Sequence, residues 1–149
     1  MRSRACRRLE KELVQIRRDH SSFEIIPSED EELNWRVVFS APEDCIYTGE
    51  KYTLNFTFDD NYPVESPEVV FVGKPPVHEH VYSNGFICLS SLYNGWRPSF
   101  TVASTVLSII SMLASAKSKK KPKDDKEVVR TTKGQRSKDQ SWEFHDETC

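Results

Sequence analysis

Apolar residues recur at helical spacing in two separate parts of the chain. Near the start, a stripe repeats every three or four residues, formed by Cys6, Leu9, Leu13 and Ile16. The same spacing returns within residues 102–113. Such stripes are typical of helices that pack one face on a core. The pattern predicts an N-terminal amphipathic helix and a second, largely buried helix, which Ser99 or Thr101 is placed to cap.

Four short segments of strand character lie between the two predicted helices. They are 23–26, 35–39, 51–58 and 68–72, and turn-forming residues separate them. The third, KYTLNFTF, alternates apolar and polar residues as a half-buried antiparallel strand does. A long segment without periodicity, 73–98, follows the last strand. This order predicts an α+β fold: an N-terminal helix, a four-stranded antiparallel meander sheet, a long loop and a buried central helix.

Composition divides the chain at residue 116. Residues 1–116 are enough for one domain with its own hydrophobic core. Residues 117–149 begin with the basic run KSKKKPKDDK and end with SWEFHDETC, with few apolar residues between, so we predict a mobile tail. The basic run is either a solvated linker, the more common case, or a nuclear address or polyanion contact. The net charge is only -2, and no nucleic-acid partner is expected.

Neither a membrane helix nor a secretory signal is predicted. The longest apolar stretch, 102–116, is interrupted by serines and is too short for a bilayer span, and the N-terminus mixes charged with apolar residues. The four cysteines, Cys6, Cys45, Cys88 and Cys149, are far apart, which favours thiols over disulfides. We therefore expect a protein of the cytoplasm, the nucleus or both, without a membrane partner.

Cys88 lies in the irregular segment, between the turn-forming pairs Asn84-Gly85 and Asn94-Gly95. A packed thiol is the ordinary interpretation of a lone cysteine. His78 and His80 could join it as zinc ligands, but the sequence offers no evident fourth ligand. A papain-like nucleophile would need a distant His and Asn and the local signature around its cysteine. The flanking turns favour a partly exposed thiol on a rigid segment, suited to attack on a large acyl partner.

Several motifs, in order and at matching spacing, resemble those of ubiquitin-conjugating enzymes. They are YPVESPEVVFV, VHEHVYSNGFICLSSL and WRPS, followed by the second helix. The likeness spans about residues 7–116. It is strongest to the W type, which modifies protein N-terminal α-amino groups, because His80 stands where relatives have Asn, HVYSNG precedes the cysteine and the tail ends in SWEFHDETC. The resemblance implies that Cys88 accepts ubiquitin as a thioester from an activating enzyme and passes it to amines without a cofactor or metal.

The resemblance also assigns roles to other residues. His80 would support the oxyanion or brace the loop, while His78 and Asn84 would be structural parts of the active site. RING or U-box ligases would dock on Arg8, Lys11, Pro63, Val64, Pro98 and Ser99. Val64 replaces the Phe that relatives use towards HECT-type ligases, so those ligases are not expected. The donor ubiquitin would lie against the second helix near Leu107 and Ser111.

The acceptor is predicted from the residues just beyond the second helix. The stretch AKSKKKPK lacks the acid that many lysine-directed relatives place there, and Asp124 and Asp125 come only later. This favours α-amino acceptors on proteins with flexible N-termini, modified with a single ubiquitin. The open alternatives are a carrier for another ubiquitin-like modifier, a lysine-directed ubiquitin carrier, a noncatalytic ubiquitin-binding module and a structural domain with a packed thiol.

Overall fold

The chain folds into an N-terminal helix, one antiparallel sheet and further helices, in the predicted order. The computed structural model describes residues 3–140 and 142. The helices are α1 (Arg4–Asp19), α2 (Val102–Ala114) and α3 (Asp125–Thr131), the strands are β1 (Phe23–Pro27), β2 (Asn34–Ser40), β3 (Lys51–Thr57) and β4 (Glu68–Val72), and short 3-10 turns cover Ser90–Leu92 and Ser137–Asp139. The α+β fold class is confirmed.

The sheet is a meander in which each strand pairs antiparallel with the next. Its register aligns Val37 of β2 with Leu54 of β3, and Leu54 with Phe71 of β4. All three side chains are buried. Because side chains alternate between the faces of a strand, this register turns one whole face of the sheet towards the core. The period-two pattern of KYTLNFTF is thereby explained.

Helix α2 supplies the centre of the core. Its Val106, Ile109 and Leu113 are fully buried in the same cluster as the inner face of the sheet. Thr101, one of the two predicted caps, begins the helix: its Oγ1 accepts from the Ser104 N–H at 3.0 Å, and Ser104 Oγ accepts from the Thr101 N–H at 2.9 Å. This reciprocal capping fixes where α2 starts. Within the described residues, no helix has both the length and the apolar character to cross a membrane.

Helix α1 packs only part of the predicted stripe. Leu9 and Ile16 are buried, whereas Cys6 and Leu13 are half-buried. The acidic Glu12, one turn beyond Leu9, is buried on the same face, with 3% of its surface exposed. A buried carboxylate needs hydrogen-bond partners, and Glu12 finds them on three different parts of the fold.

The segment after residue 116 differs from the mobile tail that composition predicts. Helix α3 buries Val128, and the following 3-10 turn buries Ser137. The Ser137 and Lys138 backbone N–H groups donate to the Glu68 carboxylate of β4 at 2.8 and 3.0 Å. Polar contacts to distant residues hold this segment, and a search for apolar periodicity does not detect such contacts. Residue 141 and most of the C-terminal SWEFHDETC, including Cys149, lie outside the described residues.

Candidate active site

A tight turn presents the segment that carries Cys88. The Tyr82 N–H donates to the Phe86 carbonyl at 2.8 Å, and the Asn84 side-chain oxygen accepts from the Phe86 N–H at 3.1 Å. Beyond the turn, the Cys88 N–H donates to the His80 carbonyl at 2.7 Å. The two arms of the turn therefore hold each other in register, and the Cys88 backbone is fixed. The structure places Asn84 at the tip of the turn, where its side chain orders the backbone.

Gly85 at this turn has no room for a side chain. Its φ is +94°, and an added Cβ would lie 2.2 Å from the Phe71 carbonyl oxygen of β4. The Phe71 N–H in turn donates to the Gly85 carbonyl at 2.9 Å, which ties the turn to the sheet. Close backbone approach and a left-handed conformation both require glycine here.

We expect Gly85→Ala to lower the free energy of unfolding by about 2–3 kcal/mol, because the left-handed conformation and the clash with a strand backbone both oppose a Cβ. Gly49 is the matched control, since its φ is +87° and an added Cβ would meet nothing within 4 Å. Gly49→Ala should cost only about 1 kcal/mol. Urea denaturation measures both, and equal losses for the two variants would contradict the close-approach argument.

Two histidines precede Cys88 and are held by the fold. His78 Nδ1 accepts from the His80 backbone N–H at 2.9 Å, so the ring proton lies on Nε2, which faces the Met112 carbonyl of α2 at 3.2 Å. The two imidazoles meet edge to face, with centroids 5.3 Å apart. His78 thus braces the loop against α2, as a structural residue of the site would. The oxyanion role of His80 stays a prediction.

The thiol of Cys88 is not partly exposed, as its flanking turns suggested. The residue is only 2% exposed and lies in an apolar cluster with Tyr82, Phe86 and Val128. Val128 belongs to α3, and the Trp142 ring packs against the same cluster. The expectation of a shallow, open loop is therefore wrong in this structure, because the segment after α2 returns and covers the cysteine.

The same segment brings two carboxylates to the turn before Cys88. The Tyr82 hydroxyl donates to Asp124 at 3.0 Å. Asp125, which is buried, accepts from the Ser83 N–H at 2.7 Å and from the Ser83 hydroxyl at 2.8 Å. The sequence places these acids well beyond α2 and does not show that the fold returns them to the active-site turn. The structure adds Tyr82, Asp124 and Asp125 to the residues of the site.

A groove of about 880 Å³ runs between the histidine loop and α2. His80, Leu107 and Ser111 all line it, and Leu107 is 41% exposed although it is apolar. The fold therefore brings together, on one face next to the Cys88 segment, residues that the sequence resemblance assigns to the oxyanion and to donor ubiquitin. Lys117 also lines the groove.

Glu12 joins three elements behind a second surface. Its carboxylate accepts from Arg8 Nε at 2.9 Å, from the Tyr62 hydroxyl at 2.6 Å and from the Val102 N–H at 2.8 Å. Burial, and then the charge of Glu12, raise the pKa of Tyr62, which keeps its phenol a proton donor. The sequence gives no signal for this network beyond an acid in an apolar stripe.

The six residues assigned to ligase docking flank this network. Arg8 also donates to the Phe100 carbonyl at 3.3 Å, and the Trp96 ring N–H donates to the Pro63 carbonyl at 2.8 Å. The first bond ties α1 to the loop that carries Pro98 and Ser99, and the second ties that loop to the one that carries Pro63 and Val64. Val64 is 62% exposed, and Lys11, Pro98 and Ser99 are exposed as well. The structure thus gathers the six residues around one connected framework.

The described residues contain no group of three or more His, Cys, Asp or Glu side chains that could hold a metal ion. Cys6, Cys45 and Cys88 are thiols rather than disulfides. What the site offers chemically is one covered thiol on a fixed backbone, beside a groove lined by polar and apolar side chains and near two hydrogen-bonded carboxylates.

Comparison with known proteins identifies the class to which this fold and site belong. The model of the family described as "Ubiquitin-conjugating enzyme" matches residues 8–145, and the chain belongs to this family. A crystal structure of the ubiquitin-conjugating enzyme E2 UbcA1 from Agrocybe aegerita superposes with a TM-score of 0.82 at 39% identity, covering 87% of this chain and 96% of that one. The chain is therefore a ubiquitin-conjugating enzyme, with ubiquitin, an activating enzyme and ligases as its partners.

Within the family, full-length similarity is to the W type. The chain is 43% identical over 148 residues to the probable ubiquitin-conjugating enzyme E2 W of Dictyostelium discoideum, covering 99% of each chain. It is 43% identical over 152 residues to the ubiquitin-conjugating enzyme E2 W of Caenorhabditis elegans, again covering 99% of each. The resemblance seen in the sequence motifs is confirmed, and the similarity extends through the segment after residue 116.

Proposed function

We propose that this enzyme carries ubiquitin on Cys88 and transfers it, one molecule at a time, to the α-amino groups of proteins with flexible N-termini. In the first step, the Cys88 thiolate attacks the thioester carbonyl of ubiquitin on the activating enzyme, a new C–S bond forms, and the activating enzyme's thiolate leaves. In the second step, a neutral amine attacks the Cys88 thioester. The amide forms, the Cys88 thiolate leaves, and the extra proton of the amine passes to solvent.

The observation that carries this proposal is that the two acids hydrogen-bonded to the active-site turn are both used to hold that turn. Both Asp125 oxygens accept hydrogen bonds from Ser83, at 2.7 and 2.8 Å, and Asp124 accepts from Tyr82 at 3.0 Å. In these positions the carboxylates order the turn instead of serving as a base for an incoming ammonium. An acceptor is then favoured if it arrives already deprotonated.

The pKa of the attacking amine decides which amines arrive deprotonated and can react. At pH 7 a lysine side chain with a pKa of about 10.4 is about 0.04% free base, whereas an α-amine with a pKa of about 7.8 is about 14% free base. The ratio is about 350-fold. The weaker basicity of the α-amine lowers its nucleophilicity and removes part of this factor. A site whose two hydrogen-bonded acids hold the turn therefore still favours N-termini, and the W-type likeness of the chain supports the same acceptor.

The groove and the ligase-facing residues complete the proposal. Donor ubiquitin lies along α2 at Leu107 and Ser111, beside His80, and RING or U-box ligases dock where Val64 and Pro98 are exposed. The exposed apolar surface of Leu107 and Val64 supports these assignments, because both belong to the small set of large apolar side chains that are exposed in the described part of the chain.

The test is a single-turnover discharge of the purified ubiquitin thioester onto two matched peptides. One has a free N-terminus and arginine in place of its lysine, and the other has an acetylated N-terminus and keeps the lysine. At pH 7 we expect the free N-terminus to react at least about tenfold faster, and its rate to level off above about pH 8 while the lysine rate keeps rising. Mass spectrometry should show one ubiquitin per peptide.

A third peptide, acetylated and without lysine, gives the background hydrolysis rate that is subtracted from both. Equal rates for the two reactive peptides at pH 7 would refute α-amino preference and leave a lysine-directed carrier. Failure of the thioester to form with ubiquitin, but success with another modifier and its activating enzyme, would refute the assignment of ubiquitin as cargo.

A further inference from the structure

We propose that residues 124–140 together with Trp142 form a lid over the Cys88 thiol, and that the lid must open before ubiquitin can be loaded. This inference concerns the loading of Cys88 and not the choice of amine. It rests on the proposed function only in taking Cys88 as the residue that receives ubiquitin. The lid controls access to the thiol through an apolar cover, and polar contacts at two points hold that cover closed.

The cover is made of apolar side chains from the lid. Val128 of α3 is 4% exposed and belongs to the same cluster as Cys88, Tyr82 and Phe86. The Trp142 ring stacks on Tyr93, with centroids 4.8 Å apart and planes inclined by 23°, and tilts against Tyr82 at 5.6 Å. The cysteine is therefore enclosed by residues 40 or more positions later in the chain.

Polar contacts fasten the lid at two points. Near α3, Asp125 accepts both hydrogen bonds from Ser83, on the turn that leads to Cys88. Near the 3-10 turn, Glu68 of β4 accepts from the Ser137 and Lys138 N–H groups, and the Ser137 hydroxyl also donates to it. Charge-assisted hydrogen bonds of this kind are stronger than neutral ones, so the closed position is a defined one.

Loading is incompatible with the closed lid. The thiolate must come within about 3–3.5 Å of a carbonyl carbon at the end of a folded protein that is itself bound to the activating enzyme. A residue with 2% of its surface exposed does not offer that approach. The apparent reactivity of Cys88 is therefore its intrinsic reactivity multiplied by the fraction of molecules with the lid open.

The lid is built to open without unfolding the core. Helix α3 has seven residues, too few for a helix to be stable by itself in water. The lid contributes Val128, Val129 and Trp142 to the Cys88 cluster, while the central core is formed by the sheet and α2. Segments with few buried apolar contacts open locally at a small fraction of the cost of global unfolding.

The test compares the full-length chain with Trp142→Ala, which removes the stacked ring, and Asp125→Ala, which removes the fastening to Ser83. Two rates are measured: alkylation of Cys88 by iodoacetamide, read by peptide mass spectrometry, and loading with ubiquitin at limiting activating enzyme. We expect each variant to raise both rates by about three- to tenfold, because each shifts the lid towards its open state. Arg130→Ala is the matched control, since Arg130 is on α3 but pairs with Glu127 of the same helix, at 3.0 Å on the exposed side.

Cys45, a half-buried thiol far from the lid along the sequence, is the internal reference in the same spectra. Acceleration confined to Cys88, with Arg130→Ala unchanged, supports the lid. Unchanged alkylation in both lid variants, or an equal rise at Cys45 that reports general loosening, overturns it. Faster alkylation without faster loading overturns the claim that the lid limits loading. Faster alkylation in a chain that ubiquitin never loads would support the lid and count against the proposed function instead.

Discussion

Replacement of Cys88 by alanine is expected to abolish the ubiquitin thioester completely. The reaction needs a thiolate at the end of the fixed turn, and alanine offers no nucleophile there. The fold should survive, because the change removes one buried heavy atom at a cost of about 1 kcal/mol and leaves the Cys88 N–H to His80 hydrogen bond in place. Intact-mass spectrometry after incubation with activating enzyme, ATP and ubiquitin, with and without a thiol reductant, measures the adduct directly.

Cys45→Ala is the control for this result. The Cys45 thiol is half-buried and donates to the Pro42 carbonyl at 3.1 Å, away from the active-site turn. That variant should form a reductant-sensitive adduct of one ubiquitin at the wild-type rate. A reductant-sensitive adduct that persists in Cys88→Ala, or that disappears in Cys45→Ala, would move the acceptor to another thiol and return Cys88 to a packed cysteine of the loop.

The parts of the site that sequence could predict are those with a local chemical signal. Asn84-Gly85 marks a turn because few other residues fit its backbone, and the sequence limits the cap of α2 to Ser99 or Thr101, of which the structure selects Thr101. The period-two pattern of β3 predicts which side chains face the core. In each case the residues that interact are neighbours in the chain, so their spacing alone carries the prediction.

The lid and the burial of Cys88 could not be predicted in this way. Ser83 with Asp125, and Glu68 with Ser137, are pairs separated by 42 and 69 positions. Their side chains are as common on solvated surfaces as in contacts, and the segment brings only a few apolar residues, Val128, Val129 and Trp142, to the Cys88 cluster. For this reason composition predicts a solvent-exposed, mobile segment. Only the tertiary fold brings these polar residues to their hydrogen-bond partners.

Removal of the Glu12 carboxylate is expected to cause the largest loss of stability among the substitutions considered. Glu12→Ala leaves the Tyr62 hydroxyl and the Val102 N–H, both in buried residues, without their acceptor. It also breaks the ion pair with Arg8 at 2.9 Å. Each buried donor without a partner costs about 1–3 kcal/mol, whereas Arg8, whose side chain is 31% exposed, costs little when it loses its partner. From the two buried donors we expect the free energy of unfolding to fall by about 3–5 kcal/mol in urea denaturation.

Two further variants distinguish the stability lost with the Glu12 hydrogen bonds from any stability lost through a change in α1 itself. Gln15→Ala, on the exposed side of α1, should stay within about 0.5 kcal/mol of wild type, because it removes no buried partner. Glu12→Gln keeps the shape and one acceptor oxygen but aims an amide donor at another donor, so its loss should be about 1–3 kcal/mol. A Glu12→Ala loss no larger than that of Gln15→Ala would contradict the network. The graded order is expected because Glu12 links α1, the loop before Pro63 and the first turn of α2 through one carboxylate.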